Sequence, residues 1–235
     1  ESDQAWLLSE AATRLRALGR LTEALEPMRV SLEQLESADD WKRAAGGASN
    51  LSELEVTLGA LEAAVADARR AVDFADRSGD AFWRMGCRTT AADALHQAGP
   101  SSPGGYAATR GGQEALDLFR EGEAMQAERQ PQFPLLYSLG GFRYIDLLLA
   151  PAERAAWRRL LAGPGGTETP PGAAVDACAE ATRRATQTLE LVTTQNWLLD
   201  IALDHLSLAR AALYRALLAS AGSADSALAA VEPDL

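Results

Sequence analysis

Lysine is almost missing from this chain: Lys42 stands alone beside 21 arginines. Isoleucine occurs twice and valine seven times, against 48 alanines and 35 leucines in 235 residues. Sheets are built from β-branched and aromatic residues and helices from Ala, Leu, Glu and Arg, so a mainly β protein is excluded and an α/β sheet disfavoured. Cysteine is confined to Cys87 and Cys178, with no CxxC and no histidine pair nearby. That spacing speaks against structural zinc and offers no disulfide framework, so both are read as free thiols packed like small apolar groups in a reducing cytosol. No apolar stretch reaches 18 residues and no signal segment opens the chain; the central run Ile145 to Ala152 is broken by Asp146 and ended by Pro151. The implied setting is cytoplasmic, away from membranes. Positive charge is also short, 22 basic against 33 acidic residues for a net charge of −11. Nucleic-acid binding rests on neutralising phosphates, so it is not expected here. The phosphate-loop pattern GxxxxGK[ST], GxSxG and any Cys-His grouping are absent.

What is present is material for helices. Hydrophobic residues make up 47% and charged residues 23%, too apolar for a disordered chain. The Arg- and Ala-rich, Lys-poor usage is that of GC-rich coding. Opening on Glu1 instead of Met suggests an excised fragment or a processed product.

Internal repetition organises the chain. Gly19, Gly59 and Gly99 stand forty residues apart, each after a small or apolar residue, as at helix ends closed by glycine. Downstream, Leu21, Ala24, Leu25, Met28, Leu32 and Leu35 superimpose on Leu61, Ala64, Val65, Ala68, Val72 and Ala75. The steps of 3, 1, 3, 4 and 3 put all six on one helix face. Upstream, Leu8, Ala11, Ala12 and Leu18 match Ala48, Leu51, Ser52 and Leu58. Asp40 and Asp80 fall where helix N-caps belong. A third unit follows if residues 100–112, rich in turn formers, are an insertion: Ala115, Leu116 and Phe119 then replace Ala64, Val65 and Ala68. Forty residues further, Ala155 and Ala156 continue the series, which sets Arg143 and Asp146 as a pair in a packing seam. Pro131 and Pro134 mark the preceding boundary. After a second irregular stretch, 163–172, helices are expected over about 173–194 and 197–219, and Gly222 to Leu228 repeats the Gly19 to Leu25 spacing. The expectation is one array over 1–235. Its units are about 5–40, 41–80, 81–130 with the insertion 100–112, 131–195 with the loop 163–172, and an incomplete 196–235, as in a segment of a longer array.

A small residue in the first helix, a glycine turn and an alanine five residues on in the second helix resemble the tetratricopeptide repeat. This core reads Ala12, Gly19, Ala24, then Ser52, Gly59, Ala64, then Ala92, Gly99, Ala115 with the insertion. The period is forty residues instead of 34, and the family's terminal proline is missing from the first two units. The strings Ala94 to Gly99, Phe133 to Leu149 and Leu198 to Leu206 resemble long bacterial repeat proteins in which the array is the sensor of a STAND-type signalling NTPase. The resemblance implies an all-α helical-hairpin solenoid, a right-handed superhelix of four to five units. It also implies a bacterial signalling context.

In such arrays the first helices line a concave face that takes a peptide or protein segment. With the glycine at position 15, the facing positions are Trp6, Ser9, Thr13, Arg16 and Ala17, then Gly46, Ser49, Glu53, Val56 and Thr57, then Gly86, Thr89, Asp93, His96 and Gln97. None is Lys or Asn, which disfavours the family's carboxylate clamp for chaperone tails. Tyr137 and Tyr144 add aromatics toward the fourth unit. The candidate ligand-binding residues are therefore Arg16, Glu53, Thr89, Asp93, His96, Tyr137 and Tyr144, on a non-enzymatic protein- or peptide-binding module without cofactor or metal. Two rivals stay open. One is an all-α metal-dependent enzyme built on Asp93, His96, Asp200, Asp204 and His205, since a carboxylate and an imidazole at helical spacing can share a cation. The other is a structural oligomerisation arm.

Overall fold

The computed structural model describes residues 2–99, 110–162 and 172–219. Among these the regular elements are all helices, as expected from the shortage of β-branched residues. They are α1 (Ser2–Ala17), α2 (Leu21–Ser37), α3 (Trp41–Thr57), α4 (Leu61–Ser78), α5 (Ala81–Ala98), α6 (Arg110–Arg129), α7 (Ser138–Ala162), α8 (Gly172–Gln195) and α9 (Leu198–Ala219). The chain forms two compact units, residues 1–131 and 132–235. The spacing of Gly222 to Leu228 and most of the stretches 100–112 and 163–172 lie outside the described residues. Arg110–Gly112 open α6 and Gly172 opens α8.

Three helix ends in the first unit, those of α1, α2 and α3, are closed by one local device. Gly19, Gly59 and Gly99 all have left-handed φ, at 73°, 75° and 72°. At the first two, the glycine and the next residue donate back into the last turn. Gly59 N–H reaches the Val56 carbonyl at 3.0 Å, and Ala60 N–H reaches that of Glu55 at 2.8 Å. These bonds satisfy carbonyls that a terminating helix leaves bare. The α2–α3 turn makes the same pair of bonds with Asp39 in the left-handed position at φ 54°, where the forty-residue offset puts Gly79 at φ 67°. The following aspartates are caps: Asp40 accepts from the Arg43 N–H, and Asp80 from those of Phe82 and Trp83.

Packing in the first unit depends on small side chains. Ala24, Ala64 and Ala115 are each 0% exposed, and Ala12, Ser52 and Ala92 are buried to the same degree within a percent. Alanine at a seam lets two helix backbones close on each other. The remaining volume is filled by a few large groups, among them Leu32, Leu51, Leu54 and Phe119. Helix α3 packs on α2, α4 and α5, and α6 packs on α5. Gly46 marks the closest approach: a Cβ there would lie 2.7 Å from the Trp83 ring of α5.

In the second unit α7 packs on both α8 and α9, which pack on each other. The core joins Ile145, Leu149, Ala156, Cys178, Ala185, Tyr214 and neighbours. Helix α7 runs unbroken past Ala150 with Pro151 in its interior. No glycine is available there to reverse the chain, and both sides of the proline are buried: Leu149, Ala150 and Ala152 belong to the core. Burial on both flanks outweighs the hydrogen bond that proline removes. Asp146 consequently faces α9, where Arg210 donates to it at 2.6 Å.

Candidate functional site

The sequence-selected residues divide between the two units. Arg16 on α1, Glu53 on α3, and Thr89, Asp93 and His96 on α5 belong to the first; Tyr137 and Tyr144 belong to the second. Arg16, Glu53 and His96 are half-buried, whereas Thr89 and Asp93 are buried. Thr89 returns its hydroxyl to the Gly86 carbonyl at 2.8 Å, and its methyl faces the α6 backbone at Gly122. Asp93 accepts from Gln97 at 3.3 Å. A hydroxyl bond of 3.0 Å from Ser49 to Thr90 ties α3 to α5.

In the second unit Tyr137 is one of three mutually packed rings. Trp197 stacks on Phe133 and on Tyr137, both at 5.5 Å between centroids. Tyr144 is only 5% exposed and lies beneath the Arg184 guanidinium, 4.3 Å from its ring centroid. It is part of the helix packing and offers no surface to a partner.

The acid-and-histidine constellations divide between the two units. Asp93 and His96 lie in the first unit, and Asp200, Asp204 and His205 in the second. Asp200 and Asp204 point into the packing while His205 is exposed. Asp204 accepts from the Thr188 hydroxyl at 2.8 Å. Burial pushes its carboxyl up to about 6, assisted by neighbouring Asp200 and opposed by the Thr188 bond. Among the described residues, no three His, Cys, Asp or Glu side chains are grouped so as to hold a metal ion. Cys87 is buried, with its thiol pushed up to about 12 by desolvation, which leaves it protonated and unreactive at neutral pH.

Among the hollows on the first unit are two of different size. The larger, about 860 Å³ and open to solvent, lies between α4 and α6 against Arg69, Glu114, Asp117 and Glu121. Arg69 already holds Glu114 through both carboxylate oxygens at 2.9 Å. The smaller, about 30 Å³, lies where α1, α2 and α3 meet. Its wall takes Ser9, Thr13 and Arg16 from one face of α1, Ser31 from α2, and Gly47 and Asn50 from α3. Sequence reading identified the α1 part, because 9, 13 and 16 share a helical stripe. It missed Asn50, which sits one place off the stripe read on α3.

The principal buried acid is likewise a tertiary product. Glu55 is fully buried, accepts from Arg29 at 2.8 Å, and leaves its Oε2 without a hydrogen-bond partner. Burial raises its pKa; the Arg29 bond opposes that shift and the charge of Asp67 adds to it. No family model and no curated protein matches this sequence. Among the described residues no helix is long and apolar enough to cross a membrane.

Proposed function

We propose that this chain is a non-enzymatic, tetratricopeptide-like repeat module that binds a protein or peptide segment along the face formed by α1, α3 and α5. In this reading the helix pairs stack as a right-handed solenoid and serve as the sensor or scaffold part of a larger signalling protein. One observation carries it: the same backbone and packing devices recur at a forty-residue offset. Gly19, Gly59 and Gly99 share a positive φ, and Ala24 and Ala64 share complete burial, as does Ala115 once eleven inserted residues are allowed for. Repeated seams of this kind leave the first helix of each pair with a polar strip, here Ser9, Thr13 and Arg16 on α1 and Asn50 and Glu53 on α3. Extended strips of that sort suit a segment that needs shape and a few charged contacts more than a deep pocket.

The test is site-directed photocross-linking. A random peptide library is selected on the immobilised chain, and a photoreactive residue is placed at position 13 or 53 on this face and at 33 or 62 on exposed parts of α2 and α4. Cross-links to the selected peptides from 13 and 53, and not from 33 and 62, are the expected result. Cross-links confined to 33 and 62 would place recognition on the second helices and overturn the reading.

A further inference from the structure

We infer that α9 pairs with α9 of a second copy of this chain, antiparallel about a two-fold axis, through a seam of alternating leucine and alanine. Through its first half, α9 keeps its acids inside. Asp200 and Asp204 are buried together with Ser207, and Asp204 accepts from Thr188 of α8 at 2.8 Å. Leucines stand outside instead: Leu199 is 66% exposed and Leu206 48%. Helix α9 packs on α7 and α8, and its more exposed side carries the stripe Leu199, Ala202, Leu206, Ala209, Leu213 and Ala216. Ala202 is exposed as well, and the last three are half-buried. The steps of 3, 4, 3, 4 and 3 are the heptad spacing of a seam between two helices.

The order of large and small residues identifies the partner. With a two-fold axis crossing α9 between Ser207 and Leu208, Leu199 falls opposite the partner's Ala216, Ala202 opposite the partner's Leu213, and Leu206 opposite the partner's Ala209. Symmetry returns the same three pairs on the other side, so each leucine meets an alanine along the whole seam. Large against small is how facing layers interdigitate when two helices approach closely. A parallel pair in register sets leucine on leucine and alanine on alanine, alternately crowded and empty. Charge agrees with a second copy. The net charge of −11 drives copies apart wherever acids face one another, and α9 has no acid besides the two that are buried. The exposed Arg215 side chains of the two copies lie near opposite ends of the seam. Because α7 and α8 already hold α9 as a helix, pairing orders little that was free, and about two and a half heptads suffice. The seam is about 26 Å long and covers roughly 300 Å² of each chain, against about 800 Å² for a stable dimer. The pair is therefore reversible, with a dissociation constant on the order of 10–100 µM. It concerns the second unit and does not rest on the peptide-binding reading of α1, α3 and α5.

Sedimentation equilibrium of the full chain over about 5–500 µM tests the pairing. The average mass should climb from 24.9 kDa toward twice that value. Leu206→Ala opens a gap at both of its crossings and Ala209→Leu crowds both, so each should weaken dimerisation roughly tenfold or more. Both changes in one chain again put a leucine opposite an alanine and should restore the affinity to within about threefold. An equimolar mixture of the two single variants should pair more tightly than either alone, for the same reason. Ala202→Glu, at an exposed position, should abolish association, with far-UV circular dichroism verifying that every variant keeps its helices. A chain monomeric over the whole range, association that survives Ala202→Glu, or a double variant no tighter than the single ones would each overturn the pairing.

Discussion

Replacing Glu55 by leucine should make the protein more stable. The forty-residue offset puts Leu15 and Leu95 at the equivalent positions, so the α3 site is shaped for an apolar side chain and holds an acid instead. Among the described residues Oε1 accepts from Arg29 at 2.8 Å, while buried Oε2 meets no donor and the carboxyl has the acid Asp67 as its other polar neighbour. Such an oxygen costs about 1–3 kcal/mol. The Arg29 side chain is 46% exposed, so losing its carboxylate leaves it to water at a cost of about 0–1 kcal/mol. Asp67 keeps its pairing with Arg70. The expected net gain for Glu55→Leu is about 0–3 kcal/mol at pH 8, overlapping the range for buried ionic groups replaced by apolar ones. The pH dependence is part of the test. Because the folded-state pKa is raised, the contribution of Glu55 is fully present below its unfolded value of about 4.3 and is lost as pH rises through the folded value. Glu55→Gln, which cannot ionise, should therefore be close to neutral at pH 4.5 and stabilising at pH 8. Urea denaturation followed by far-UV circular dichroism and by tryptophan fluorescence, at both pH values, measures this. A loss of more than about 1 kcal/mol in Glu55→Leu at pH 8, or a Glu55→Gln difference that does not change with pH, would refute the reasoning.

Asp204 poses the same question in the second unit. With its carboxyl raised to about 6, its contribution is present below about 3.9 and lost as pH rises through 6, so Asp204→Asn should stabilise by about 1–3 kcal/mol at pH 8 and by almost nothing at pH 4 in the same denaturation assay. Gly46 and Gly86 are forty residues apart inside helices and should respond with opposite signs. Gly86→Ala has open space for its methyl and should gain about 0.5–1 kcal/mol, whereas Gly46→Ala must displace the Trp83 ring and should lose about 1–2 kcal/mol with a shift in tryptophan emission. Gly59→Ala meets no neighbour, yet its φ of 75° should cost about 1 kcal/mol by urea titration. Tyr144→Ala should cost about 3–5 kcal/mol in stability, because the ring is buried beneath Arg184; a folded variant of unchanged midpoint would contradict that placement.

The sequence by itself determined the parts of this protein that are local. Helix class follows from Ala, Leu and Arg in place of β-branched residues. The turns follow from Gly19, Gly59 and Gly99, and the starts of α3 and α5 from Asp40 and Asp80, whose carboxylates bond N–H groups two or three residues away. The buried seam at Ala24 and Ala64 was legible because helical periodicity recurs at a forty-residue offset, and Ala115 joins it when eleven inserted residues are allowed for. Of the candidate site, the α1 stripe with Ser9, Thr13 and Arg16 was legible for the same reason. Tertiary structure decided the rest. Tyr144 reads as a groove-lining aromatic until α8 brings Arg184 over it, and Glu55 is enclosed only by the packing of α3 on α2 and α4. A proline preceded by alanine reads as a break, yet α7 passes through Pro151 because its flanks are buried in the second unit. Asn50 joins Arg16 only across the meeting of two helices whose rotation about their axes is set by packing. Caps and turns involve groups a few residues apart along one backbone, so composition and spacing specify them; burial and the meeting of side chains from different helices depend on packing that no spacing along one helix encodes.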